Sequence, residues 1–263
     1  MRFSNLSIVL SLALLAAVPA AAQVESGGAS VSVGVGKVFE ASGRSAAGRE
    51  LQKKMNSTLI RAIAREKAST RAPRDKAKQS RNPAPLPPSS PINDRSVFFK
   101  PDPAADNMIF IANQLGRTPA ERESLRQLFA ATKVAFEREV AAKGRSSNLP
   151  AAFTFFIAST VTVYRDDPEP SDEAIDNLWE GMNSALSELP ELSKLSNGEK
   201  ALMYDTLIAL SGFVLAGHME ATASGNIENK AIFKTLSGAL IESVLKTDPN
   251  NLRFGPRGLE IVS

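Results

Sequence analysis

The chain has no cysteine, one histidine, one tryptophan and two tyrosines in 263 residues. Without cysteine it can form no disulfide, no thiol nucleophile and no Cys-rich zinc site, so its stability must come from packing. A metal site around the lone His218 would need its other ligands from carboxylates alone. No G-x-S-x-G elbow, Gly-rich phosphate loop or dinucleotide fingerprint occurs; Gly34 and Gly36 lack the strand-turn-helix context that a fingerprint requires. The calcium-loop spacing is absent too. Asp166, Asp167, Glu169, Asp172, Glu173 and Asp176 therefore read as a solvated loop and helix cap. No apolar run after the first 22 residues reaches the roughly 20 residues that span a bilayer; residues 149–164 and 207–217 fall short. No repeat of solenoid period is present. No cofactor, metal site or nucleic-acid partner is expected.

What is present begins at the N-terminus. Arg2 is followed by an apolar run over residues 6–18, broken only by Ser7 and Ser11, and by Ala20-Ala21-Ala22 before Gln23. Basic start, short apolar stretch and small-residue site make a secretory signal peptide over residues 1–22, cleaved between Ala22 and Gln23. The expected destination is the periplasm or the extracellular space. With no cysteine after the cleavage point, a lipid anchor on a mature N-terminal cysteine is excluded.

Charge is divided unevenly along the remainder. Residues 23–100 carry 15 Lys/Arg against 6 Asp/Glu, and residues 101–263 carry 15 against 22. That contrast suggests a basic arm joined to an acidic domain. Within the arm, Val31, Val33 and Val35 alternate with Ser32 and Gly34, a strand signal weakened by glycine. Pro83, Pro85, Pro87, Pro88 and Pro91 predict an extended linker, since each fixes φ and removes a backbone donor. The arm, residues 23–96, is thus expected to be disordered apart from one helix over about residues 46–68. Leu51, Met55, Leu59, Ala62 and Ile63 share one face of that helix. Arg49, Lys53, Lys54, Arg61, Arg65 and Lys67 crowd the rest, the pattern of a helix that docks on an anionic membrane surface or an acidic protein.

From residue 97 to 263 the pattern predicts one all-α domain of about six helices. Thr118-Pro119-Ala120-Glu121 and Ser196-Asn197-Gly198-Glu199 are capping boxes, and Ser171 before Asp172 and Glu173 is a third start signal. Amphipathic helices are expected over about residues 104–115, 119–143, 172–189 and 226–246. Residues 149–164 carry no charge and residues 201–217 carry only Asp205. Helices without a polar face belong at the centre of a fold. Residues 160–164 have strand propensity, which burial overrides. Ala209, Gly212, Ala216 and Gly217 predict a close helix approach.

His218, at a helix C-terminus, is read as satisfying terminal carbonyls or the helix dipole. Asp205 is read as a rim carboxylate, with Arg138, Arg165 and Lys230 as candidate partners. Phe99-Lys100-Pro101, the stretch Asn148-Leu149-Pro150-Ala151-Ala152-Phe153, and Val163-Tyr164 resemble a family of uncharacterised exported bacterial proteins with a helical domain of unknown function. The resemblance spans about residues 97–254, implies export and carries over no site. The expected function is that of an exported, non-enzymatic interaction module recruited by its basic arm. The alternatives are a carrier of a small apolar ligand near Phe155, Phe156, Trp179 and Phe213, and a carboxylate-based hydrolase.

Overall fold

The computed structural model describes residues 45–71 and 95–262, with side chains placed for 45–65 and 96–262. The cleavage site at Ala22 and Gln23, the alternating Val31, Val33 and Val35, and the prolines of residues 73–91 lie outside the described residues. Helix α1 is Ala46–Arg71. After a short 3-10 turn come α2 (Asn107–Leu115), α3 (Pro119–Ala141), α4 (Leu149–Arg165), α5 (Asp172–Ser187), α6 (Pro190–Lys194), α7 (Asn197–Ala223) and α8 (Ile227–Leu245). A two-stranded hairpin, β1 (Leu252–Gly255) and β2 (Gly258–Ile261), follows. The class is all-α, as the sequence predicts.

Most of these helices open on a side chain that satisfies an orphan first-turn N–H. Thr118 and Ser196 form full capping boxes with Glu121 and Glu199. Asp106, Asn148, Ser171 and Asn226 each accept from the N3 amide of their helices.

α4 and α7 are the two central helices. Phe153, Phe155, Phe156 and Ile157 of α4, and Leu207, Ile208, Ala209 and Leu210 of α7, are all buried. Their polar residues fit because each hydroxyl returns to its own helix four residues back: Thr154 to Pro150 O, Thr160 to Phe156 O, Ser211 to Leu207 O. The strand-prone residues 160–164 are the last turns of α4. Among the described residues α7 alone is long and apolar enough to cross a membrane, and 78% of that stretch is buried inside the fold. Its small residues set its neighbours: a Cβ at Gly212 would strike Thr132 of α3, and one at Gly217 would enter the Phe233 ring of α8.

Helix α1 forms where its apolar periodicity places it, but not as a free docking element. Leu51, Met55, Leu59, Ala62 and Ile63 belong to the same core cluster as α4 and α7. The helix packs against α5, α6, α8 and β2. Gly181 of α5 lets the Ala62 backbone approach so closely that a Cβ would strike its carbonyl. The stripe expected to meet an outside surface therefore meets this chain's own core. The physical reason is that α5 offers a complementary apolar face. Burying four large side chains in it, at about 2 kcal/mol each, outweighs leaving them in water.

The hairpin was not foreseen, though Leu252-Arg253-Phe254 and Leu259-Glu260-Ile261 around Gly255-Pro256-Arg257-Gly258 carry the alternation and turn residues of one. Leu252 and Leu259 anchor it in the core. The register pairs Gly255 with Gly258 and Arg253 with Glu260, and Val262 N–H donates to Asn251 O at 2.9 Å. Hydrogen-bonded pairs alternate in an antiparallel ladder, so the N–H and C=O of Leu252 and Phe254 point away from β2.

Candidate functional site

An open cleft of about 550 Å³ lies between the segment joining α4 to α5 and the hairpin. Asp167, Pro168, Glu169, Pro170 and Ser171 form one wall, and Arg253, Phe254, Gly255 and Pro256 the other. Both walls are pinned to helices. Ser171 accepts from Ala174 N–H as the α5 cap and donates to Pro256 O at 3.3 Å. Asn177 Nδ2 donates to Arg257 O at 2.7 Å. At the base of β1, Arg165 Nε donates to Leu252 O at 2.9 Å, and Tyr164 donates to Asn250 Oδ1 at 2.8 Å. Leu252 N–H donates to Pro249 O. The Arg253 guanidinium is held by Glu260 at 3.2 Å, and Asp167 and Glu169 are exposed on the opposite wall.

A second open cleft, of about 390 Å³, runs along α2 and the start of α3 past Ile109, Asn113, Arg122, Glu123 and Arg126. Its cations already have partners. Arg122 Nε donates to Gly116 O, and Arg126 grips Glu123 with two bonds of 2.8 and 2.6 Å.

The acidic cluster does not converge. Asp176, on α5, meets Lys143 and Arg145, the latter at 2.8 Å, and Arg145 lies 3.6 Å from the centre of the Trp179 ring. Burial alone would raise the Asp176 pKa, but the two cations overcome it and hold the carboxyl below its ordinary value. Trp179 Nε1 donates to Asn148 Oδ1 at 3.0 Å.

Asp166 closes α4 in a left-handed conformation, φ 60°. Lys230 Nζ stands 2.8 Å from its Oδ1, and His218 Nε2 stands 3.1 Å from the same atom. His218 thus meets the carboxylate that caps the C-terminus of α4 rather than carbonyls of its own helix, and Lys230 is engaged away from Asp205.

Hydrogen bonding from Lys230 is the main influence that lowers the Asp166 pKa. Burial lowers that of His218 more than Asp166 raises it. A histidine depressed in the folded state opposes folding once protonated. Its contribution is complete above the unfolded value of about 6.5 and is lost as pH falls toward the folded one. Urea midpoints should therefore drop as pH falls below about 6.5, and His218→Gln should flatten that slope. An unchanged slope in the variant would locate the titration elsewhere.

Asp205 is not a rim residue; it is only 3% exposed. Its Oδ1 is 2.7 Å from Lys133 Nζ of α3, and its Oδ2 accepts from Asn107 Nδ2 of α2 at 2.9 Å. None of the three cations named from the sequence reaches it. The neighbouring Tyr204 donates to Glu137, and its ring lies edge-on to Phe99 and Phe136. Burial first, then the Glu137 carboxylate, pushes the Tyr204 pKa upward, which suits a structural donor.

The α1 cations face acids of this chain. Lys53 pairs with Glu50 at 2.9 Å and Lys54 with the buried Glu191 at 2.7 Å. Arg61 and Arg65 both reach Glu188, at 3.8 and 2.6 Å, and Arg65 also donates to Ser184. Arg49 is exposed on the first turn of α1, and the Lys67 side chain lies outside the described residues. The aromatic residues expected to line a carrier pocket are packed instead. Phe155 stacks on Phe136 at 5.1 Å, Phe213 meets Phe233 edge-on at 5.6 Å, and Phe156 is buried.

Fold and cleft together define an all-α domain whose N-terminal helix and C-terminal hairpin close one side of a two-helix core. The chain belongs to DUF6683, a family of unknown function whose model matches residues 2–262. The match takes in α1 and the first residues, well beyond the stretch on which the resemblance rests. Comparison with curated proteins and with solved structures gives no match.

Proposed function

We propose that the protein is an exported binding module that holds another polypeptide in the cleft beside β1. The observation that carries this reading is the cleft itself, an open space of peptide size whose two walls are fixed by side chains from α4 and α5. Export is supported by the order of Arg2, the apolar run and Ala20-Ala21-Ala22. An anionic membrane surface is the weaker partner reading, because the α1 stripe that would insert is packed in the core.

Both halves of the proposal are testable in one secreting host. Mass spectrometry of the exported chain should find Gln23 first; a chain that keeps residues 1–22 and stays inside the cell would defeat the export half. A photo-crosslinking residue in place of Pro256 should yield adducts with other proteins, whereas one in place of Val134, which is 71% exposed on α3, should not. Equal labelling from both positions, or none from either, would defeat the binding half.

A further inference from the structure

We infer that the cleft takes residues 31–35 of a second copy of this chain, laid along the outer edge of β1 and paired with Phe254. This deepens the binding-module reading and rests on it: the polypeptide held is another molecule of the same protein.

The edge is the first observation. Leu252 and Phe254 both turn their N–H and C=O away from β2. Leu252 is satisfied within the chain, its N–H by Pro249 O and its C=O by Arg165. Pro256 has no N–H, and its C=O accepts from Ser171. Phe254, between them, is the residue whose outward pair meets no backbone partner among the described residues. The opposite wall does not supply one, because Pro168 and Pro170 alternate along it and a proline cannot donate to a ladder. An open strand edge of this kind accepts an extended chain.

The chain itself contains a segment of the right pattern. Val31, Val33 and Val35 alternate with Ser32 and Gly34, the two-residue period of a strand. Ser32 and Gly34 keep one face slim, which suits a cleft of about 550 Å³ with room for a few extended residues. Residues 27–36 carry no charge, so their pairing does not depend on the sign of either wall.

The direction of α1 decides whose segment it is. Lys54, early in α1, meets Glu191 just beyond α5, whereas Ala62 lies on Gly181 inside α5. The two helices therefore run antiparallel, and α1 heads toward the start of α5, where Ser171 forms part of the cleft wall. Ser45 stands at the other end, hydrogen-bonded to Glu199 on the first turn of α7. With 26 residues in α1, that end is about 40 Å from the cleft at 1.5 Å per residue. Val33 precedes Ser45 by twelve residues, which reach about 40 Å only when fully straight. A copy's own segment would be drawn taut along the whole of α1, with no length left to enter the cleft. The segment of a second copy meets no such limit. Each molecule then gives an arm at one end and receives one at the other, a heterologous contact that makes rings or rows unless two copies exchange arms.

The test uses the full mature chain. Sedimentation should show species heavier than the monomer as concentration rises. Ser32→Pro with Val33→Pro removes a donor from each edge of the segment, and should raise the concentration needed for assembly tenfold or more while leaving the melting curve that of the parent. Amide hydrogen exchange at Phe254 should slow with assembly; at Arg253, already paired to β2, it should not change. In a mixture of heavy-isotope and ordinary chains, a photo-crosslinker at position 256 should join residues 31–35 of one isotope to the cleft of the other.

A chain that stays monomeric at every concentration, assembly that ignores the double proline variant, or unchanged exchange at Phe254 overturns the inference. So do crosslinks to residues 31–35 confined to one isotope, since each copy would then fill its own cleft. If position 256 crosslinks only to proteins other than this one, the second copy is the wrong occupant and the binding module stands. No adduct of any kind removes both.

Discussion

A chain that begins at Asp94 should fail to melt cooperatively. The acidic half, by composition, looks able to fold alone; the position of α1 says otherwise. Leu51, Met55, Leu59 and Ile63 are each at most 2% exposed, and they cover α5, α6, α8 and β2. At about 2 kcal/mol per large side chain, their loss approaches the 5–15 kcal/mol that holds a whole domain together. The newly bared faces of α5 and β2 would add an exposed apolar patch. Circular dichroism of the shortened chain should show a broad, early loss of helix. Leu59→Ala in the full chain should cost about 2–5 kcal/mol by urea melt, whereas Lys53→Glu, at a side chain 70% exposed, should leave the midpoint almost unchanged. A sharp transition in the shortened chain would show that α1 merely rests on a finished domain.

The second large effect is expected at Gly217. A methyl group there would lie inside the Phe233 ring, which is 1% exposed and leans on Phe213. The ring cannot yield without moving Phe213, so Gly217→Ala should cost about 1–3 kcal/mol or more through overpacking. Phe233→Leu alone should also destabilise, by leaving a cavity. Made together, the two should cost much less than their sum, because the methyl fills space that the smaller side chain vacates. Simple additivity in denaturant melts would place the Gly217 effect in backbone entropy instead.

Local signals in this chain are legible and long-range ones are not. Thr118 with Glu121 and Ser196 with Glu199 announce two helix starts because each capping box lies within four residues. The uncharged run of α4 announces its own burial. The α1 stripe was equally visible, but periodicity says only that a face is apolar, never what covers it. Asp205 shows the same limit. That it needs a partner follows from its apolar surroundings, whereas the choice of Lys133 and Asn107 depends on how α2 and α3 cross α7. His218 and Asp166 lie 52 residues apart and meet only because α4 and α7 are neighbours. For the cleft, each wall is ordinary in sequence; the site exists through the juxtaposition of a Pro-rich loop with a strand edge far along the chain.

The contact of α1 with α8 and β2 also sets an order of events during synthesis. Chain growth delivers α1 well before the hairpin, yet α1 has its full groove only when Leu259 is in place. Until β2 leaves the ribosome, α1 has nowhere complete to settle. Contacts of such sequence separation close slowly. The fold is therefore sealed from its two ends, and a chain cut short near residue 250 would be left open at both.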